Sequence, residues 1–536
     1  MRRKVHSFDY ALIFLLFIWI VPSGARAATY YIAQNHPGAS DLNPGTIEQP
    51  WKTITKANQV LAPGDTVYIK AGTYATYIAP AKSGTSTKPI TYTKYGTDTV
   101  TITNTSYGIH LNGRSYIIVQ GIDFFNLDQF LWIQNNSNHN TIAYCNFDKS
   151  RNVDWHGSRI YSNSSYNWVH HCRFSKYGQY TNDDIGSVLD IGDEESQTDL
   201  TRYNIIEDCT LFHGGHHILG VFGMYNVIRN NYFHNEPWLD GYGNRNVYLA
   251  GYPGNSGWNL IEGNRIGYSS IPPDNWGAPG LALSTRNNII RRNSFLYNDQ
   301  SGIALTLSDG YYSDVTYNKI YNNSFLHNGW NMATGPDVRT SALGFSVYSG
   351  SHIIKYNFVK NNIYSDHYQT YGTYRVNLDD QTFEGNWDGD SQGDPQFVNA
   401  SKTPGNPMDP STPDLRLKTG SPCIDTGTYL TVVTSASGSG NSFKVADSSY
   451  FMDGWSIPNV LGDEIQLSGS PDKARIVSIN HSTNTITVNR ILTYKQDQGI
   501  SLSYAGTAPD IGAYEYNQGQ HPSAPNDLKI ISPNPE

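Results

Sequence analysis

A nine-residue phrase keeps returning in this chain. "YNVIRNNYF" begins at Tyr225, and close copies begin at Tyr203 ("YNIIEDCTL"), Trp258 ("WNLIEGNRI"), Asn287 ("NNIIRRNSF") and Tyr317 ("YNKIYNNSF"). Looser copies begin at His139, Tyr166 and Tyr356, with an outlier at Tyr116. From His139 onward the copies are spaced 27, 37, 22, 33, 29, 30 and 39 residues apart. Repetition at such a period limits the chain to stacked architectures, in which no unit buries its apolar face alone and neighbours together make one continuous core. In each copy offset three is Ile or Val and offset eight is usually Phe, Ile or Leu, the pattern of two short strands with a bend between them. The shortest spacing sets the minimal coil, and the excess in the others must be loops inserted at its corners. Helical repeats are excluded by the absence of a 3.6-residue period and by the density of Asn, Gly and Tyr.

Offset six of the phrase holds Cys145, Cys172 and Cys209, then Asn231, Asn264, Asn293, Asn323 and Asn362. Stacked copies turn that slot into a column. Asn there is expected to supply the left-handed backbone of the bend and to bond its amide to the next Asn. The cysteines are expected to be buried free thiols, because stacked parallel neighbours rarely meet the geometry of a bridge.

The 536-residue chain carries a net charge of −9 and has no basic runs, which argues against a nucleic-acid partner. Its first residues read as a cleavable signal peptide, residues 1–27: basic "MRRK", the apolar run Ala11 to Pro22, and "ARA" from Ala25 to Ala27. Cleavage would remove four cations and one anion, taking the charge from −9 to −12, and would leave no membrane-spanning segment. The expected organisation is a repeat region over 28–428 with an N-terminal cap at 28–75, a small β-rich insert at 429–504, a closing β segment at 505–518 and a loose tail at 519–536. The insert alternates apolar and polar residues in "NSFKVAD", "ARIVSI", "NTITVNRIL" and "GISLSY". Sugar binding and structural capping are its two readings.

The asparagine-rich two-strand phrase resembles the right-handed parallel β-helix of pectate lyases, of chondroitinase B-like alginate and dermatan lyases, and of polygalacturonases. "PWKTITKANQVLAPGDTVYIKAGTY" (Pro50 to Tyr74) resembles the N-terminal cap of exported bacterial β-helices, with Ile54, Ala57 and Leu61 as the apolar stripe of a short helix. "DPQFVNAS", "LRLKTGSPCIDTG" and "PDIGAYEY" resemble their closing coils. The resemblance implies an all-β fold, a right-handed parallel β-helix solenoid with an N-terminal helical cap and a small C-terminal β-rich inserted domain. It also implies a groove along the first strand of each coil, placed at Arg159–Tyr161, Val188–Ile191, Ile218–Val221, Asn246–Leu249, Leu281–Leu283 and Ile303–Leu307. By alternation Arg159, Asp190 and Tyr248 face the groove.

The loops entering these strands bring His213, His216, His217, His234, Glu236, Trp238, Asp240 and Arg245 toward the same region. A second row at offset ten, Lys149, Lys176, His213, Asn235, Tyr268 and Tyr297, repeats at about the 4.8 Å parallel strand spacing and would suit a glycan chain. Tyr248, Trp238, Trp276 and Tyr268 offer flat faces for sugars. The expected function is an exported, monomeric carbohydrate-active protein acting on an extracellular polysaccharide, first as a lyase performing β-elimination on a uronate polymer. For that reaction Asp190, His216, His217 and Arg245 are the expected catalytic set, and Lys149, Arg159, Lys176, His213, Trp238, Tyr248 and Tyr268 the substrate-binding set. Alginate and dermatan lyases pair a Lys with an Arg on neighbouring coils. The corresponding positions here, within Gly192–Ser196 and near Val221, carry neither. Paired carboxylates such as Asp190 with Asp184, Glu236 or Asp240 would instead make a glycoside hydrolase, and a β-helix can also act as a non-catalytic glycan binder. No cofactor is required by the chemistry. Calcium is the ion that the acidic run Asp183, Asp184, Asp193 and Glu194 would suit.

Overall fold

A computed structural model describes residues 27–151, 155–177, 186–237, 244–271, 277–307, 313–330 and 338–516. The signal-peptide run, Asp183, Asp184, Trp238, Asp240, Trp276 and the tail beyond 516 lie outside the described residues.

Each phrase supplies one strand at offsets two to four and opens another at offset seven that runs past its end, as in Val227–Arg229 and Tyr232–His234. Every strand pairs in parallel with its equivalent one coil away, and among the described residues this builds three long sheets. The second strands of the coils form a sheet of thirteen, from Thr29–Ile32 to Thr382–Glu384. The third strands form a sheet of twelve, from Gly72–Tyr74 to Trp387–Asp388. The first strands form a sheet of ten, from Tyr107–Asn112 to Gln369–Tyr374. This last sheet contains the groove strands read from the sequence, including Ser158–Ile160, Ser187–Ile191, His217–Val221 and Arg245–Leu249.

Equal offsets do stack. Inside, Phe124, Phe147 and Phe174 lie ring on ring at 4.6 and 4.5 Å, close to the strand repeat. The Cys172 backbone N–H donates to Cys209 Sγ at 3.4 Å, and Cys209 N–H donates to Asn231 Oδ1 at 2.9 Å. The column continues through Asn264, Asn293, Asn323, Asn362 and Asn386, each Oδ1 taking the preceding N–H at 2.9 Å. All four cysteines are free and buried.

Two details differ from the sequence reading. The left-handed residue at the bend is not the ladder Asn at offset six but its predecessor: Tyr144, His171, Asp208, Asn230, Gly263 and Arg292 all have φ between 52° and 67°. The Asn therefore sits at offset six to satisfy buried backbone groups, while its predecessor makes the turn. A second ladder, unread in the sequence, runs at offset one from Asn140 through Asn167, Asn204, Asn226, Asn259, Asn288 and Asn318 to Asn357 and Gln381. It follows the same rule, because the phrase-opening residue at offset zero, usually aromatic, is left-handed in every copy. A bulky side chain in that region is strained. Here it is offset by an external stack of Tyr116, His139, Tyr166 and Tyr203, whose rings lie 4.8–5.0 Å apart.

The open N-terminal end is closed by helix Ile54–Val60. Thr53 Oγ1 caps it by accepting the Lys56 N–H at 3.3 Å, and Ile54, Ala57 and Leu61 are buried in the main core. Residues 431–502 form a six-stranded antiparallel sheet that packs on the outside of the second sheet, over Ile205, Val227, Leu260, Ile289 and Tyr321. Buried Arg291 fixes this contact, with Asp463 of the insert at 2.6 Å and Glu262 at 2.9 Å. The closing stretches around Phe397, Leu415–Leu417 and Ile511 cover the outside of the third sheet at Tyr232, Tyr268, Leu296 and Tyr297. Two of the three outer faces are thus occupied by the C-terminal third of the chain, and the groove sheet is the face that these covers leave open.

Candidate active site

Register along the groove sheet places one residue per coil in a straight row: His110, Trp132, Arg159, Asp190, Gly220, Tyr248, Ala282 and Ala304. A second row lies three residues earlier in the strands and runs His156, Ser187, His217, Arg245. A regular strand would send residues three apart to opposite faces. Ser187 Oγ nonetheless donates to Asp190 Oδ2 at 2.5 Å, while Val188 and Leu189 between them are both buried. The strand entries are therefore kinked, and both rows face the groove.

Asp190 is the hub. It is 0% exposed, and its two oxygens accept from three donors: His217 Nε2 at 2.7 Å, His156 Nδ1 at 2.5 Å and Ser187 Oγ. Burial alone would raise its carboxyl, but the electrostatic attraction and hydrogen bonds of His217 and His156 outweigh burial and hold it well below the usual carboxylate range. Gly220 makes this contact possible. A Cβ there would collide with Asp190 Oδ1 and stand 2.7 Å from His217 Nε2. His217 continues the chain, its Nδ1 lying 2.7 Å from His216 Nδ1. His217 must donate its Nε2–H to the Asp190 anion, so a neutral His217 accepts at Nδ1 from His216. The His216 lone pair is then on Nε2. Burial, then Arg245, keep the His216 imidazole well below its usual range, so it is unprotonated at neutral pH.

Beside this chain the Arg245 guanidinium lies 4.9 Å from the Tyr248 ring centroid, and Tyr248 Oη donates to Glu194 Oε1 at 2.7 Å. Burial raises the Glu194 carboxyl above its ordinary value, against the pull of the Tyr248 hydrogen bond. Arg159 pairs with Asp193 at 3.3 Å and lies over the Tyr161 ring. On the N-terminal side the groove continues as a run of half-buried aromatics, Tyr107, His110, Trp132 and Tyr161, linked by ring contacts of 4.4–6.0 Å.

Several sequence-predicted residues stand elsewhere. Asp190 cannot touch a polymer, because its side chain is enclosed. His217 is spent at both nitrogens. The four histidines divide into two groups: His213 and His234 grip Glu236 at 3.0 and 2.6 Å, beside Phe212 and Tyr232 of the third sheet. Burial would raise the Glu236 carboxyl, but these two imidazoles bring it down to about 2. The offset-ten row also turns toward the third sheet. Lys176 pairs with Asp148 at 3.0 Å, Lys149 Nζ lies 5.8 Å from the Phe125 ring, and Tyr268 is buried against Tyr297 under the closing segment. The reason is again backbone: Lys149, Lys176, His213, Tyr268 and Tyr297 are left-handed, which breaks strand alternation at that corner. Of the acidic run, Asp193 faces Arg159 and Glu194 faces Tyr248, while Asp183 and Asp184 lie outside the described residues.

His156, Ser187 and Gly220 were missed by the sequence reading. Two signals were present: a glycine inside an apolar strand, which marks close approach, and a polar residue three positions before each outward one.

Two family models match the chain. One described as "Pel9A-like, right handed beta helix region" covers residues 30–190, and one described as "Right handed beta helix region" covers 182–387. No curated protein matches significantly. Similar solved structures include pectate lyase Pel9A, at 17% identity over 92% of this chain and 97% of that one, with a TM-score of 0.49. A GH136 lacto-N-biosidase from Eubacterium ramulus is 13% identical over 67% of this chain and 68% of that one, with a TM-score of 0.47. A PL6 family polysaccharide lyase from Pseudopedobacter saltans is 18% identical over 68% of this chain and 94% of that one, with a TM-score of 0.40. Among the described residues no helix is long and apolar enough to cross a membrane. Three parallel sheets in register and the two matching models together make this chain a right-handed parallel β-helix protein.

Proposed function

We propose that the protein is an exported polysaccharide lyase that cleaves a uronate polymer by β-elimination in the groove. The observation that carries the reading is the buried Asp190–His217–His216 chain beside Arg245 and the Glu194–Tyr248 pair. Arg245 neutralises the uronate carboxylate, which acidifies the neighbouring C5 proton. His216 Nε2 takes that proton, the C4–C5 double bond forms and the C4–O bond breaks. The leaving oxygen takes its proton from the Glu194 carboxyl, oriented by Tyr248. Arg159 and the aromatic run Tyr107, Trp132 and Tyr161 hold adjoining sugars. Export follows from the signal-peptide features of residues 1–27.

The hydrolase reading needs two carboxyl groups open to one glycosidic bond. Asp190 is enclosed and Asp193 is engaged by Arg159, which favours elimination. The test is a panel of neutral and uronate polymers. Lyase activity gives the ultraviolet absorbance of an unsaturated uronate, and His216→Ala should abolish it. New reducing ends without that absorbance would establish a hydrolase. Binding without product from any polymer would establish a glycan-binding protein.

A further inference from the structure

The last complete coil carries a second group of metal-ligating side chains, far along the solenoid from the groove chemistry. Third-sheet strand Ile363–Ser365 leads through His367 into the final groove strand Gln369–Tyr374. One coil on, strand Trp387–Asp388 leads into the short helix Gly389–Gln392. Stacking of these coils brings His367, Asp388 and Asp390 together, with one ligand atom from each within 4.8 Å of the others.

Both ring nitrogens of His367 face a carboxylate, Nε2 lying 3.5 Å from Asp388 Oδ1 and Nδ1 3.7 Å from Asp390 Oδ2, and the hydrogen bonds around the ring fix which of them carries the proton. The Thr370 hydroxyl donates to Asp388 Oδ2 at 2.8 Å, so in its 2.9 Å contact with His367 Nε2 it must accept, and Nε2 carries the proton. Nδ1 then holds a lone pair. His367 is 6% exposed, and this nitrogen is buried without a hydrogen-bond partner. It points at Asp390 Oδ2 across 3.7 Å, too far for a proton to bridge the two in a hydrogen bond. A buried nitrogen lone pair facing a carboxylate oxygen leaves room for a cation between them. Tetrahedral ligands bound at about 2.1 Å stand about 3.4 Å apart; Nδ1 and Asp390 Oδ2 stand 3.7 Å apart, and Asp388 lies within the wider 4.8 Å limit of the set. The Thr370 contact is the outer bond that orients a ligating imidazole.

We infer that His367, Asp388 and Asp390 bind a first-row divalent transition metal of the zinc class. One imidazole nitrogen with two carboxylates suits such an ion, whereas calcium and magnesium favour all-oxygen shells. Asp390 is the outer ligand, half exposed, with its Oδ2 accepting the His367 backbone N–H at 3.5 Å. Asp388 caps the short helix through Oδ1, accepting the Asp390 N–H at 3.0 Å, and keeps lone pairs to share. The ion would tie the last two coils together at the end of the solenoid where the N-terminal type of helical cap is absent among the described residues.

The test uses the full chain, stripped with a chelator and then titrated with Zn²⁺, Mn²⁺ and Ca²⁺ by equilibrium dialysis and thermal melting. Wild type should take up about one equivalent of Zn²⁺ in preference to Ca²⁺ and melt higher with it. Asp390→Asn, at a half-exposed position that leaves the fold intact, should weaken Zn²⁺ binding by about 10-fold or more. His367→Gln should remove the uptake and the melting shift together. Unchanged Zn²⁺ affinity in Asp390→Asn, no Zn²⁺ uptake by wild type, or a preference for Ca²⁺ would each overturn the assignment.

Discussion

Asp190→Asn is the sharpest perturbation of the groove, because it changes charge and proton direction with almost no change in volume. Asp190 Oδ2 accepts from His156 and Ser187, and Oδ1 accepts from His217. An asparagine does least damage with its amide oxygen in the Oδ2 position, keeping two donors, and its NH₂ toward His217. His217 must then accept at Nε2 and carry its proton on Nδ1, which donates to His216 Nδ1. The His216 proton moves to Nε2, and the base is blocked while the fold survives. Charge-assisted hydrogen bonds are roughly twice as strong as neutral ones, so weakening three of them should cost about 2–4 kcal/mol of stability. Loss of the oriented base should lower kcat by about two to four orders of magnitude. Denaturant unfolding reads the first effect, and initial rates of unsaturated-uronate formation read the second. An Asp190→Asn variant that unfolds near the wild-type midpoint and turns over at the wild-type rate would refute both the hub and the proton chain.

Gly220→Ala should abolish turnover and cost about 1–3 kcal/mol, the usual range for overpacking, because the new Cβ lands on Asp190 Oδ1; a normal rate would mean that the Asp190–His217 contact is not needed. Asn264→Ala removes two acceptor contacts to Asn231 and two donors to Ile228 and Asn293, so it should cost about 2–4 kcal/mol in equilibrium unfolding without altering the groove. Burial, then Asp510, raise the Glu515 carboxyl to about 7, so its protonated form is the one the fold favours. That contribution is complete below the ordinary carboxylate value and is lost as pH rises through about 7, so Glu515→Gln should flatten the decline of the melting temperature between mildly acidic and alkaline pH.

Architecture was legible because a repeat puts the same physical demand on the chain many times over. Offsets three and eight had to be buried, and the Asn column had to bond along the stack. The outward row Arg159, Asp190 and Tyr248 followed from alternation alone. Alternation also hid its partner row. His156 stands opposite Ser187 in the same register that pairs Arg159 with Asp190, and strict alternation assigns residues three apart to opposite faces. The run "HGGHH" misled for a related reason. His213 lies near the end of a third-sheet strand, the glycines turn the corner, and His217 opens a groove strand, so neighbours in sequence serve different sheets.

As a lyase of a uronate polymer, the reading proposed above, the acidic chain would have to attract an acidic substrate, and Glu194 bears on how the groove would do so. Arg245 and Arg159 supply two positive charges beside Asp190 and Asp193, and a protonated Glu194 adds nothing to the negative side. Burial favours that neutral form, so the same proton that serves the leaving group also keeps a further negative charge out of the groove. As pH rises through the raised Glu194 value, acid catalysis and substrate attraction should fail together, with kcat falling and KM rising. Glu194→Gln separates the two effects. It stays neutral and can still accept the Tyr248 hydrogen bond, but it has no proton to give. The variant should bind substrate as well as wild type at low pH and better at high pH, with kcat reduced by about two orders of magnitude or more throughout. If Glu194→Gln keeps the wild-type kcat, the leaving oxygen takes its proton from another donor, and Glu194 only shapes the field around Tyr248.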